Sequence, residues 1–141
     1  MRFMLLIKGN ERTEAGVLPS KRLMEEMIKF NDSLVDAGAL LAAEGLHPSS
    51  MGARVKFTRG KPAATDGPFV DAKEIVSGYW LIRAKSVQAA VEWAKRIPFE
   101  PDESAADSGD VGQIEVRQVF ELEDFPVGEH ESGWREAEAE F

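Results

Sequence analysis

The 141-residue sequence predicts an α+β domain, and three observations predict it. Short apolar runs of strand length alternate with stretches of helical spacing. Each helical stretch follows a serine, Ser20 or Ser86, of the kind that caps a helix N-terminus. Glycines and prolines at 38, 60, 62, 67, 68 and 98 punctuate the chain between these stretches.

Taken in order, Phe3 to Ile7 is a nearly continuous apolar run and predicts a buried central strand. Lys8 to Pro19 is polar and predicts a loop. From Ser20, the positions Leu23, Met24, Met27, Ile28, Leu34 and Val35 follow helical spacing, the methionines reading as core filler, and Gly38 is a natural stop. Leu40 to Ala43 predicts a second strand, and Glu44 to Ser50 a loop. Val55 and Phe57 alternate with Arg54, Lys56 and Thr58, which predicts a half-exposed strand. Gly60-Lys61-Pro62 predicts a turn, with a short return strand through Ala64 and Thr65. Ile75 to Arg83 predicts a strong strand. Val87, Ala90, Val91, Ala94 and Ile97 form the stripe of a second helix, ended by Pro98. Residues 99–113 predict an acidic loop, and Ile114 to Leu122 a last strand.

The element order is strand–helix–strand, hairpin, strand–helix–strand. Two such split units on one sheet make a ferredoxin-like α+β domain over residues 1–125, followed by an acidic tail, 126–141. Two helices cover one face of such a sheet. The other face needs a partner, so a homodimer is expected. The tail holds Trp134 and Phe141 in a stretch of helical composition; it reads either as a solvated acidic end or as a segment that docks on the body or on a dimer mate.

Charge is unevenly spread. Residues 1–99 hold 15 Lys/Arg and 11 Asp/Glu, while residues 100–141 hold 2 and 14, so the net −8 belongs to the C-terminal third. That pattern argues against a nucleic-acid binder, which shows a dominant basic surface. The absence of cysteine excludes a thiolate metal site, a disulfide scaffold and a cysteine nucleophile. With only His47 and His130, no metal site or cofactor is expected. No apolar run reaches the ~18 residues of a membrane span. The expected location is cytoplasmic.

Asp66-Gly67-Pro68-Phe69 reads first as a turn, with Asp66 bonding the backbone and Phe69 pegging it to the core. Its context carries more. Thr65 to Phe69, Lys73-Glu74, Gly78-Tyr79, Leu81-Ile82 and Glu92-Trp93-Ala94 with Arg96-Ile97-Pro98 resemble the DGPF branch of the YCII-related proteins, as do Met4 to Ile7, Glu44-Gly45-Leu46 and Ile114 to Arg117. The resemblance spans residues 1 to about 122. It implies a dimeric α+β barrel with an added hairpin, and genes of this branch lie near extracytoplasmic-function sigma factors. Some YCII-like relatives dehalogenate chlorinated muconolactones, and the narrower relatives carry a histidine–aspartate pair. That pair does not carry over: the first helix here has no histidine, and Trp93 to Pro98 has no aspartate.

The chemistry-bearing residues are His47, Asp66 and Glu74 as candidate catalytic groups, with Lys73, Tyr79 and Arg2 as candidate ligand contacts. An imidazole oriented by a carboxylate serves as a general base, and Lys73 or Arg2 would hold a carboxylate on the substrate. This suits a lyase or isomerase acting on a small anionic molecule. The competing expectation is a non-catalytic binding or regulatory module linked to sigma-factor signalling. For each residue a plain structural role stands beside the functional one: Asp66 as a turn former, Lys73–Glu74 as a surface pair, Trp80 and Trp93 as core anchors.

Overall fold

A computed structural model describes residues 1–69, 74–100 and 112–126. Lys73, most of the acidic loop, and the tail with Trp134 and Phe141 lie outside the described residues.

Among the described residues the strands and α-helices follow in the order β1 (Arg2–Lys8), α1 (Glu11–Glu14), α2 (Lys21–Asp36), β2 (Leu40–Gly45), β3 (Ala53–Thr58), β4 (Lys61–Asp66), β5 (Val76–Arg83), α3 (Val87–Ala94) and β6 (Ile114–Gln118). Both serine caps form. Ser20 Oγ accepts from Leu23 N–H, Ser86 Oγ accepts from Ala89 N–H, and each satisfies a donor that its helix leaves unpaired. Gly38 follows α2 with φ +67°, as a helix stop requires.

The four-stranded sheet has the order β2-β5-β1-β6, antiparallel throughout. Sequence order and spatial order together are those of a ferredoxin-like α+β fold, with β3–β4 inserted as a separate two-stranded hairpin. The sheet is open, not a closed barrel. Strand alternation divides it into two faces. Phe3, Leu5, Trp80 and Ile82 pack with Phe30 and Leu34 of α2 and Ala90 of α3 to form the core. On the other face Met4 pairs with Leu81 and Leu6 with Tyr79, all four half-buried.

Four expectations need correction. The loop before α2 contains a turn of helix, because Asn10 and Thr13 cap each other reciprocally: the Asn10 side chain accepts from Thr13 N–H, and the Thr13 hydroxyl accepts from Asn10 N–H. The hairpin turns at Arg59–Gly60, both with positive φ, because that geometry matches the twist of the strands it joins. Its strands are exposed on both faces instead of half-exposed. The apolar stripe of α2 is split. Leu34 is buried, Leu23 and Met27 are half-buried, and Met24, Ile28 and Val35 are exposed, so the methionines border a cavity instead of filling the core.

Candidate functional site

Two concavities meet at the end of the sheet where β2 leaves it and β5 enters it. The larger is about 750 Å³, within the range of small-molecule sites. Ile7, Ala43 and Trp80 line it from the sheet, and Leu23, Met24, Met27 and Asn31 from α2. Ile97 to Phe99 lines it from beyond α3, and Leu46 to Pro48 from the loop after β2. Trp80 is fixed at its base. Its Nε1–H donates to Asn31 Oδ1 at 2.8 Å, and its ring stands edge-on to Phe30 at 5.3 Å.

The polar residues bordering this cavity are Lys8, Arg12, Glu44, His47, Tyr79 and Glu100, with Asn10, Thr13, Asn31 and Ser77. Glu100 ties three segments together. It accepts from Arg12 Nη2 at 3.2 Å and from Ser20 N–H at 3.0 Å. Its carboxyl is held below the ordinary value of 4.5, first by hydrogen bonding from the Ser20 side chain, against a smaller opposing effect of burial, then by the Ser20 N–H and the charges of Arg12 and Arg22. A depressed folded pKa favours the folded state above the unfolded pKa and is lost as pH falls through the folded one. The wild type is therefore expected to melt higher than Glu100→Gln at neutral pH. The difference should close as pH drops below 4.5, and a gap persisting into stronger acid would contradict the tie.

The smaller concavity, about 430 Å³, is bordered by His47, Pro48, Ser49, Met51, Arg54, Phe69 and Glu74. Of the Asp66-Gly67-Pro68-Phe69 turn, Phe69 contributes to its wall. Phe69 N–H donates to Ser49 Oγ at 3.0 Å, the Ser49 hydroxyl donates to Glu14 Oε2, and Ser49 N–H donates to Glu14 Oε1 at 2.9 Å. Gly67 N–H donates to the Gly52 carbonyl at 3.0 Å, and the Gly67–Pro68 peptide is cis. The Arg54 guanidinium lies 4.1 Å from the centre of the Phe69 ring. Phe69 thus packs under a cation at the hairpin root and does not join the main core as its bulk implies.

The residues singled out from the sequence separate into groups. His47 borders both concavities, Glu74 the smaller and Tyr79 the larger. Asp66 is exposed at the end of β4 opposite Ala53 and borders neither. Among the described residues no hydrogen bond joins His47 to Asp66 or Glu74. Arg2 does not join them. It sits at the opposite end of β1, about 20 Å away at ~3.3 Å per residue. There it makes a two-pronged pair with Glu121, with Nε 3.0 Å from Oε1 and Nη2 3.1 Å from Oε2. Among the described residues no group of three His, Asp or Glu is arranged to hold a metal ion.

Sequence reasoning passed over Asn31, Arg12 and Glu100. Asn31 left a signal: it is a polar residue one turn after Met27 and beside Phe30, in the middle of a helix. Arg12 and Glu100 left none, being 88 residues apart.

The family model of the YCII-related domain matches residues 1–123. The chain belongs to the YCII-related family. An uncharacterised protein of Rhizobium meliloti (strain 1021) is 29% identical over 75 residues, 53% of this chain and 60% of that one. The match thus spans less than two thirds of that relative. No helix among the described residues of this YCII-related chain is long and apolar enough to cross a membrane.

Proposed function

We propose that this YCII-related protein binds a small molecule with an apolar body and one anionic group in the larger cavity. Within the family, its Asp66 to Phe69 turn supports the DGPF branch. The observation that carries the reading is the lining: Leu23, Met27, Trp80, Ile97 and Phe99 supply apolar wall, while Lys8, Arg12 and His47 supply positive or protonatable groups at the same cavity. A lone imidazole moves a proton, so the chemistry it best suits is lyase- or isomerase-like. Among the described residues no carboxylate is bonded to His47, which favours a second reading, a binding or regulatory module linked to sigma-factor signalling. The apolar sheet face of Met4, Leu6, Tyr79 and Leu81 supports a homodimer and the dimeric barrel.

The test uses two dyes of similar shape, anilinonaphthalene sulfonate and the uncharged N-phenylnaphthylamine. Both are expected to bind, the sulfonate more tightly. Met27→Trp should fill the cavity and weaken both by about tenfold or more, a change of ~1.4 kcal/mol. Arg12→Gln and His47→Ala should weaken only the sulfonate. Unchanged binding of both dyes to Met27→Trp would sink the assignment. Turnover of a lactone panel, abolished by His47→Ala, separates the catalytic reading from the binding one.

A further inference from the structure

Asn31 is the polar residue on the wall that α2 gives to the larger cavity, in line with Leu23, Met24 and Met27. The Trp80 indole can only donate, so the oxygen of the Asn31 amide must face it, and the bond runs from Nε1–H to Oδ1 at 2.8 Å. That contact fixes which way the amide points. Trp80 is buried and edge-on to Phe30, so the group that sets the orientation is itself held in place.

The nitrogen end of the amide is left over. Nδ2 carries two donors and bonds nothing among the described residues. No buried side-chain nitrogen or oxygen among the described residues lacks a partner, and Asn31 is half-buried, so Nδ2 is open to the space that Asn31 borders. Several other polar groups at this cavity are already engaged. Asn10 and Thr13 bond each other, the Ser77 hydroxyl donates to the Ile7 carbonyl, and Arg12 holds Glu100. A donor of fixed direction in an apolar wall is how a small-molecule site fixes one polar atom of its ligand.

We propose that Asn31 determines specificity at this cavity by donating from Nδ2 to a neutral acceptor oxygen, so that the ligand is a carbonyl-bearing anion with an apolar body. This rests on the small-molecule reading of the cavity and narrows it to a ligand class. An amide donates without bringing a charge, which suits a carbonyl oxygen. The charged end of the ligand goes to Lys8, Arg12 and His47, which come from β1, α1 and the loop after β2, whereas Asn31 comes from α2. The two polar groups of the ligand are thus read by different elements. A ligand offering an N–H at the amide would set donor against donor and leave both unpaired.

The experiment displaces anilinonaphthalene sulfonate with matched carboxylates, the ortho, meta and para isomers of benzoylbenzoate against those of benzylbenzoate. Each pair keeps the charge and the two rings and exchanges one carbonyl for a methylene. In the wild type at least one ketone is expected to bind about threefold to tenfold more tightly than its partner, as one hydrogen bond supplies. Asn31→Asp keeps an oxygen for the Trp80 N–H but removes the donors, so the preference should vanish or reverse. Trp80→Phe leaves Asn31 in place but frees its amide to turn over, so the preference should fall there too. Loss of packing or added charge weakens both members of a pair alike, so the ratio separates recognition from a merely structural role. Circular dichroism confirms that both variants fold. Equal binding within every wild-type pair overturns the proposal and leaves the cavity assignment standing, as does a preference that both variants retain. Dye binding indifferent to Met27→Trp removes the cavity assignment and the proposal with it.

Discussion

Replacing Trp80 with alanine is expected to cost about 3–5 kcal/mol, the range for deleting a large buried aromatic. Trp80 is 4% exposed, opposite Leu5 on β1 and Ala43 on β2, and edge-on to Phe30 of α2. It therefore joins β5 and its two neighbours, β1 and β2, to the long helix. The neighbours that would have to collapse into the space belong to different elements, so relaxation is limited and a void remains. Trp80→Phe separates two contributions. It keeps an aromatic partner for Phe30 but removes the Nε1–H donated to Asn31 Oδ1, and should cost about 1–3 kcal/mol for the lost bond and the acceptor left behind. Urea unfolding followed by circular dichroism measures both. A loss below ~1 kcal/mol for Trp80→Ala would mean that this contact does not hold α2 on the sheet. Because Trp80 also lines the larger cavity, dye affinity should change in Trp80→Phe even where folding is largely kept.

The sheet strands and the two serine-capped helices were legible in the sequence because each carries a local signal that agrees with its packing. β1 and β5 read as apolar runs because they are inner strands with one face in the core and the other half-covered. α2 and α3 read correctly at their starts because a serine cap is a one-residue signal. The last strand reads too long, since Phe120 and Leu122 continue its apolar alternation. The pairing with β1 ends at Gln118, opposite Phe3, where Arg2 turns to Glu121.

The candidate site was less legible. Both concavities lie where chain segments distant in sequence meet. His47 and Glu74 come together because β2 and β5 are neighbours, and the sequence shows this once the strand order is assumed. Arg2 sits in the same strand as Lys8, yet a strand has two ends. Composition does not say which end the loops of the site share. The Arg12–Glu100–Ser20 tie depends on where the chain travels after α3, which no local pattern encodes.

The Asp66 to Phe69 turn shows what its residue types are for, and Gly67→Ala should show it most directly. A Cβ at Gly67 would lie 1.8 Å from the Ser49 carbonyl oxygen and 2.6 Å from its carbon. Both are backbone atoms, so no side chain can swing aside, and the Ser49–Met51 turn must move. Moving it withdraws the Ser49 hydroxyl from Phe69 N–H, and it disturbs Pro48 and Met51, which border both concavities. The expected cost is about 1–3 kcal/mol or more, as for other forced insertions into packed sites, with weaker dye binding at the larger cavity. Asp66→Ala is the informative contrast. Asp66 is exposed and makes no hydrogen bond among the described residues, so its removal should fall within ~0.5 kcal/mol of the wild type. Thermal melts of the two variants, read beside amide exchange at 48–52 and 67–69, decide between an architectural and a chemical motif. If Gly67→Ala destabilises and Asp66→Ala leaves melting, dye binding and any lactone turnover intact, the motif is a clamp on the Ser49 turn. If Asp66→Ala leaves melting untouched but removes turnover, its carboxylate takes part in the chemistry and the clamp serves to hold it in place.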